Sequence, residues 1–569
     1  MNGLLLLIIS VAALVCGYIF YGRYLCKQWG VGEGDPTPAH TMEDGVDYVP
    51  AKAPVLMGHH FSSIAGAGPI TGPISAAGFG WLPCILWIVI GGIFFGGVHD
   101  FGALFASVRH GGRSIGEVIN DNMSKRAKRL FIIFSYLTLI LVVAAFASIV
   151  AGTFGVDAET PEANAIANSR VAMVSLLFIV IAILYGLLMN RTKLSMGVST
   201  IIGLVAIVAI IAIGMVWHPI KIAGNTWMWI IGVYIFIASV APVWILLQPR
   251  DFLSSFLLYA MLALAVIGVF MAHPSMDSMA LAKLDAAGDG TKPLFPVLFT
   301  TIACGAISGF HSLVSSGTTS KQLDKEAHAK PIAYGGMLLE CVLAVLTLCA
   351  VAYAYKWNAD NPDNALKGAT AIFGGGLAHM IDDTIPGSYG VLYTLLVLTY
   401  SAFCLTSLDT ATRLARFMFQ EFWLDAEKGE TVQNVTGAKK ILVNPYVATL
   451  ITVVLGVVLG LNGYGKIWAL FGSANQLLAA LALMAIAAWL GNIGKNNKML
   501  FIPMIFMLIV TIASLIINTI TQFKAIGAGG ADWGPWAQAI IGILLIVLAV
   551  FLAIEGVKTF SKQGKKVQA

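Results

Sequence analysis

Charge is scarce in this chain of 569 residues: Asp, Glu, Lys and Arg make up 11%, against about 25% in an ordinary soluble domain. A soluble fold of this length needs a charged surface, and this composition cannot supply one. Disorder, fibrous repeats and nucleic-acid binding are excluded by the same numbers. Cysteine is sparse too, with seven residues. Cys16, Cys84, Cys304, Cys341, Cys349 and Cys404 lie inside apolar runs, Cys26 follows one, and none forms a CxxC pair. They support neither a disulfide framework nor a metal site of the usual spacing, and read as small packing residues. There is no GxxxxGK[ST] and no HExxH, which speaks against ATP-driven pumping and against a zincin-type centre. The apolar runs lack the ten-residue alternation of a membrane β-barrel.

Apolar sequence is abundant. Hydrophobic residues make up 58% and the mean hydropathy is +0.84. A helix needs about 20 apolar residues to cross a bilayer. Segments of that kind fall near 3–24, 60–79, 81–107, 130–152, 170–189, 195–217, 226–248, 252–272, 295–318, 332–355, 388–412, 443–462, 467–490, 499–521 and 534–557. The fold class expected is an all-α polytopic membrane protein with about 15 transmembrane helices. The first segment reads as a span and not a signal peptide, because its basic residues, Arg23 and Lys27, follow it. No loop is long enough for a soluble domain.

Lys and Arg set the orientation. Alternate connections carry Arg23, Lys27 and Lys52, then Arg109, Arg113, Lys125, Arg126, Lys128 and Arg129, then Arg191, Lys193, Arg250, Lys321, Lys325 and Lys330. The split between the two sides is roughly three to one. The acidic loop 156–164 falls on the poorer side. The expected topology has the N-terminus outside and the C-terminus in the cytoplasm.

Two segments are not plain apolar helices. His59 to Gly80 carries Gly66, Gly68, Pro69, Gly72 and Pro73 at mid-membrane depth. Proline removes a backbone donor and glycine loosens the chain, so a continuous helix is disfavoured there. Ile237 to Phe252 carries Pro242 and Pro249. The first interrupted segment opens five spans, 60–217, and the second opens the next five, 226–412. Five is odd, so the second set starts from the opposite side. Interrupted helices in matching positions of two inverted halves point to the central site of a transporter. The expected units are therefore 1–59 (a helix and a cytoplasmic loop), 60–217, 226–412, and 413–569 (further helices).

Polar residues inside spans are rare and usually functional. His311, Ser315 and Thr318 fall at i, i+4 and i+7 on one helical face, with Ser316 and Thr319 beside it. Hydroxyls suit Na⁺ and a histidine suits a proton; helix–helix hydrogen bonding is the plainer alternative. His99 and Asp100 can relay protons or lock two helices together. Asp409 is spaced to pair with Arg413 at i+4. His59 and His60 read as residues at the membrane interface. Glu340 has no evident local partner.

The runs GHHFSSIAGAGPITGP, WLPCILWIVIGGIFFGGVHDF, SSGTTSKQL and LTSLDTATRLAR resemble those of the carbon starvation protein A family, over nearly the whole chain. The resemblance implies a leucine-transporter-like core of two inverted five-helix repeats with extra helices, as in the amino acid–polyamine–organocation superfamily. It also implies uptake of peptides or pyruvate, with proton coupling in the pyruvate-importing branch, and a C-terminal module corresponding roughly to 388–557.

The expected function is a secondary active transporter importing a small organic nutrient, pyruvate or short peptides, across a bacterial inner membrane by proton symport. A sodium-coupled amino acid or peptide symporter is the first alternative. An intramembrane metal-dependent enzyme and a non-transporting nutrient sensor are the others. The partners expected are the small-molecule substrate and membrane lipid, with no nucleic acid and no cofactor beyond the coupling ion. A substrate carboxylate would meet backbone N–H groups at a half-helix N-terminus. The candidate binding residues are Ser62, Ser63, Ala67, Gly68, Thr71, Gly72 and Pro242. The candidate ion-coupling residues are His99, Asp100, His311, Ser315, Ser316, Thr318 and Thr319. On this reading a Cβ at Gly68 or Gly72 blocks the site and leaves the surrounding helices intact.

Overall fold

A computed structural model describes the chain except residues 33, 46, 159, 161, 193–194, 243–244, 425–429, 530–532 and 569. Residues 159 and 161 of the acidic loop, and 243–244 of the second proline-bearing segment, therefore lie outside the described residues. The described residues are helical, with no strand beyond isolated bridges. In hydrocarbon a backbone group finds a partner most simply inside a helix, and long apolar runs fold accordingly.

In chain order the helices are α1 (Gly3–Trp29), α2 (Ala53–Ile64), α3 (Gly68–Ala76), α4 (Trp81–Arg109), α5 (Ile115–Asn122), α6 (Lys125–Phe154), α7 (Glu162–Arg191) and α8 (Met196–Val216). Next come α9 (Gly224–Val240), α10 (Leu247–Ala272), α11 (Phe299–Ile302), α12 (Phe310–Gly317), α13 (Glu326–Asp360) and α14 (Gly376–Asp382). The last are α15 (Tyr389–Trp423), α16 (Pro445–Gly460), α17 (Tyr464–Asn492), α18 (Lys498–Gly527) and α19 (Trp533–Gln563). Among the described residues, twelve segments are long and apolar enough to cross a membrane, α11–α12 counting as one, and α9 and α16 are shorter apolar helices. Every span expected from sequence overlaps a helix. The chain is a multi-pass membrane protein.

α17 is enclosed along nearly all of its apolar length, and α8 and α19 along little of theirs. Ile201, Val205 and Val208 of α8 point outward, which hydrocarbon tolerates as well as a protein core does.

The first interruption falls where expected. α2 ends at Ile64 and α3 starts at Gly68. Pro69 lacks an N–H and disfavours helical geometry at the residue before it. The second interruption is not where the prolines placed it. α9 is continuous to Val240, the chain turns at Ala241–Pro242, and α10 starts at Leu247. Pro242 follows a helix end and Pro249 lies in a first turn, both places where proline costs little. The interrupted helix is instead α11–α12. Ala303 has φ +47°, a strained value for a residue with a Cβ; a single 3₁₀ turn follows at Ala303–Gly305, and α-helix resumes only at Phe310. The order interrupted helix, long helix, short helix, long helix, short apolar helix, long helix thus occurs twice. It runs α2/α3, α4, α5, α6, α9, α10, and again α11/α12, α13, α14, α15, α16, α17. α7 and α8 lie inside the first set.

The two interrupted helices run antiparallel. Ala51 N donates to Gln322 O at 2.9 Å, so α2 begins where α12 ends. At the other end Trp81 N donates to Ala280 O at 3.1 Å. There the Met1 ammonium meets Asp277 at 2.7 Å, and its hydrogen bond holds that carboxyl below its ordinary value.

Candidate functional site

The interrupted helices cross at very close range. A Cβ on Gly72 would stand 2.2 Å from Ile302 O, and one on Gly68 would stand 2.3 Å from Cys304 Cβ. The space expected to hold a carboxylate beside these glycines is filled here by the end of α11. Their structural role is backbone approach. Ala67 caps α3, its carbonyl accepting from Thr71 N at 2.8 Å.

The unwound stretch 303–309 is held by α17. Asn475 Oδ1 accepts from Phe310 N at 2.8 Å, and Gly309 N donates to Asn475 O at 3.0 Å. Asn475 Nδ2 donates to Ser308 Oγ at 3.0 Å. One side chain thus satisfies backbone that a broken helix leaves open. Ser63 O, at the end of α2, accepts from Ser407 Oγ of α15 at 3.0 Å.

Next to these breaks runs a buried chain of titratable groups. His99 Nδ1 lies 2.7 Å from Asp100 Oδ1, and His311 Nδ1 lies 2.7 Å from Asp100 Oδ2. His311 Nε2 lies 3.4 Å from Glu340 Oε2. All four side chains are fully enclosed. Glu340, without a partner along the sequence, is brought beside His311, though neither its carboxylate oxygens nor His311 Nε2 has a hydrogen-bond partner among the described residues. The chain joins α4, α12 and α13, so it can pass a proton between elements and also ties them together.

The other expected residues are distributed around it. Thr71 Oγ1 is 2.8 Å from Tyr400 Oη, and Ser62 Oγ donates weakly to Asp251 O at 3.4 Å. Ser63 Oγ, Ser315 Oγ and Thr406 Oγ1 are buried with no partner among the described residues. Ser316 Oγ donates to Ser312 O at 2.7 Å and accepts from Ile115 N at 3.2 Å. The helical face does not extend to Thr318, because α12 stops at Gly317. Thr318 Oγ1 bonds Val314 O at 2.9 Å, and Thr319 Oγ1 meets His60 Nδ1, also at 2.9 Å. Pro242 belongs to the turn after α9.

His59 and His60 are buried rather than interfacial. His59 lines a cavity of about 380 Å³, together with Lys52, Tyr185, Phe252 and Gln322. Its Nδ1 is 3.2 Å from Asp251 Oδ2, too poorly aligned to count as a hydrogen bond. A smaller cavity on its other side is lined by Lys321, Thr318 and Arg413.

The Asp409–Arg413 pair does not form. Arg413 donates to Ala238 O at 2.8 Å and to Ala241 O at 2.7 Å, and Arg416 donates to Ser239 O at 2.8 Å. The two arginines cap the carbonyl end of α9, where cations are favoured. Asp409 instead pairs with Arg250, and it accepts from Tyr234 Oη at 2.7 Å. Arg250, which the sequence reading counts as a loop cation, is 2% exposed. Breaking such a pair on one side leaves a bare buried charge and costs about 3–5 kcal/mol. Arg250→Ala is therefore expected to lower the unfolding temperature sharply. Arg250 also donates to the buried Asp251 Oδ1 at 3.0 Å. Arg250→Met combined with Asp409→Leu and Asp251→Asn should therefore recover much of that loss, and thermal unfolding in detergent measures both. A triple variant no better than the single would show that charge balance is not what these groups supply.

Asn475, Tyr400, Thr406, Ser407 and the Arg250–Asp251 pair escape the sequence reading. Adjacent amides at Asn475 and Gln476 inside an apolar span are a signal for the first of these.

The family description "Carbon starvation protein CstA" matches residues 2–366 and 354–514 of the chain. A peptide transporter CstA of Bacillus subtilis is 31% identical, over 99% of this chain and 98% of its own length. A pyruvate/proton symporter BtsT of Escherichia coli is 32% identical, over 85% of this chain and 76% of its own. Among solved structures, MhsT in complex with L-phenylalanine is similar over 89% of this chain and 99% of its own, at 11% identity and a TM-score of 0.49. By the family match and by these relatives, the chain belongs to the carbon starvation protein CstA family.

Proposed function

We propose that this protein is a secondary active importer, carrying a small carboxylate-bearing nutrient, pyruvate or a short peptide, into a bacterial cell together with a proton. The observation that carries this reading is the buried chain His99–Asp100–His311–Glu340, set where two antiparallel interrupted helices cross. A proton gained or lost there changes the charge that binds α4, α12 and α13 to one another. That is a direct means of linking protonation to rearrangement of the broken helices. The relatives' names, peptide transporter and pyruvate/proton symporter, support a carrier over an enzyme or a non-transporting sensor.

The two sets of helices, 53–272 and 294–492, act in this reading as inverted repeats. Substrate reaches the crossing through the cavity that ends at His59. Lys52, Lys321 and Arg413 line that cavity and its neighbour, and would attract an anion. The coupling residues proposed are His99, Asp100, His311 and Glu340. Ser62, Ser63 and Thr71 stay in the proposal as substrate contacts that form when α3 and α11 part.

Sodium coupling has one observation in its favour. Ser63, Ser315 and Thr406 keep buried hydroxyls without partners among the described residues, and hydroxyl oxygens suit a hard cation. Counterflow in proteoliposomes with labelled pyruvate, a dipeptide and an amino acid identifies the substrate. Uptake driven by an inward proton gradient in sodium-free buffer is expected. Uptake that requires a sodium gradient at equal pH would contradict the proton reading.

The orientation proposed has the N-terminus outside. Ala158→Cys is expected to react with an impermeant thiol reagent added outside cells, and Lys325→Cys is not, on a background with Cys16 and Cys26 replaced. The opposite labelling pattern would invert the topology.

A further inference from the structure

The proton chain engages His311 through Nδ1 and leaves its Nε2 facing two other groups. Cys304 of the unwound stretch, His311 of α12 and Glu340 of α13 each present one donor atom, and the three atoms lie within 4.8 Å of one another. His311 Nε2 and Glu340 Oε2 are 3.4 Å apart, about the separation of two ligands ~2.1 Å from a tetrahedral ion. A second observation is independent of this spacing. His311 Nε2 and both carboxylate oxygens of Glu340 are buried without a hydrogen-bond partner among the described residues. Polar atoms this deep are costly when unpaired.

The surroundings fit a metal centre. Asp100 Oδ2 accepts from His311 Nδ1 at 2.7 Å. That bond fixes the ring and its tautomer and leaves the Nε2 lone pair free, as carboxylates behind metal-bound histidines do. Cys304 Sγ has outer partners of its own, Asn475 Nδ2 at 3.6 Å and Ser308 Oγ at 3.3 Å. One thiolate and one carboxylate balance a divalent charge, which lowers the cost of holding the ion at this depth. A set of sulfur, imidazole and a single carboxylate selects a transition metal over Na⁺, Mg²⁺ or Ca²⁺.

We propose that Cys304, His311 and Glu340 form a binding site for a thiophilic divalent transition-metal ion of the Zn²⁺ class, with Asp100 orienting His311. The three ligands come from an unwound stretch and two helices, so the ion ties the break in α11–α12 to α13. It also competes with the proton for His311 and Glu340. The three residues have no motif spacing in the sequence, because the fold alone brings them together.

The test uses the full chain, purified in detergent and stripped with chelator, with Cys16 and Cys26 replaced by Ser. Co²⁺ is the probe, titrated and then displaced with Zn²⁺. The expected result is one bound equivalent with a thiolate-to-cobalt charge-transfer band and a higher unfolding temperature. Cys304→Ser should lose the band, and Cys349→Ser should keep it. Asp100→Asn should bind Co²⁺ about 10- to 100-fold more weakly. A band that survives in Cys304→Ser would overturn the proposal, as would a folded parent protein that takes up no Co²⁺. Binding in detergent needs no gradient, so either failure leaves the transport reading untouched.

Discussion

Asparagine in place of Asp100 is expected to abolish proton-driven accumulation of substrate and to leave substrate exchange largely intact. Asp100 touches two imidazoles, each at 2.7 Å. Its carboxylate can accept a hydrogen bond from both rings. An amide offers one acceptor oxygen and must present an N–H to the second ring. A hydrogen bond to a charged group contributes about 1.5–3 kcal/mol, so losing one lowers coupling about 10- to 100-fold. Exchange at equal pH needs the substrate site and the moving helices, with no net proton transfer. The measurement compares uptake under an inward proton gradient with counterflow at equal pH in one proteoliposome preparation. Gradient-driven uptake within about twofold of the parent protein would remove Asp100 from coupling.

Gly72→Ala should be among the most damaging single-methyl changes in the interrupted helices. Its Cβ would stand 2.2 Å from the carbonyl oxygen of Ile302, so it meets backbone and no side chain can swing aside. Overpacking typically costs about 1–3 kcal/mol, and more where backbone must shift. The variant is expected to accumulate poorly and melt early. Gly68→Ala differs in kind, because its Cβ would meet the side chain of Cys304. Gly68→Ala combined with Cys304→Gly exchanges the two volumes and is expected to recover stability, whereas no side-chain change should rescue Gly72→Ala. Detergent-solubilised yield and unfolding temperature separate these outcomes. A Gly72→Ala protein that melts like the parent would mean the helices do not cross this closely in the membrane.

The first break is written in local chemistry, since GAGPITGP places Pro69 and two glycines where a helix cannot easily continue. The second break, in TIACGAISGF, contains no proline. It depends on α17, whose Asn475 accepts from Phe310 N through its side chain and from Gly309 N through its carbonyl. A sequence window around 303–309 holds no trace of that partner. Pro242 and Pro249 misled for a related reason: a proline marks a helix end as readily as a helix break, and its own neighbourhood cannot tell the two apart. The polar residues show the same division. His99, Asp100 and His311 stand out from apolar surroundings, so they are legible as candidates. Their contact across α4 and α12 was not. Asp409 and Arg413 have ideal helical spacing, yet Arg413 is drawn to the open carbonyls of α9, and Arg250 reaches Asp409 from α10. Local pairing energies of a few tenths of a kcal/mol are easily outcompeted by such partners.

Proton movement observed directly tests the central claim, that the buried chain around His311 couples the proton to the substrate. Proteoliposomes loaded with a pH-sensitive dye receive an outside pulse of the substrate identified by counterflow, with no gradient imposed. The parent protein is expected to acidify the lumen as substrate enters. His311→Gln should show no acidification while still exchanging labelled substrate. Acidification at the parent rate in His311→Gln, with substrate entering normally, would contradict the account.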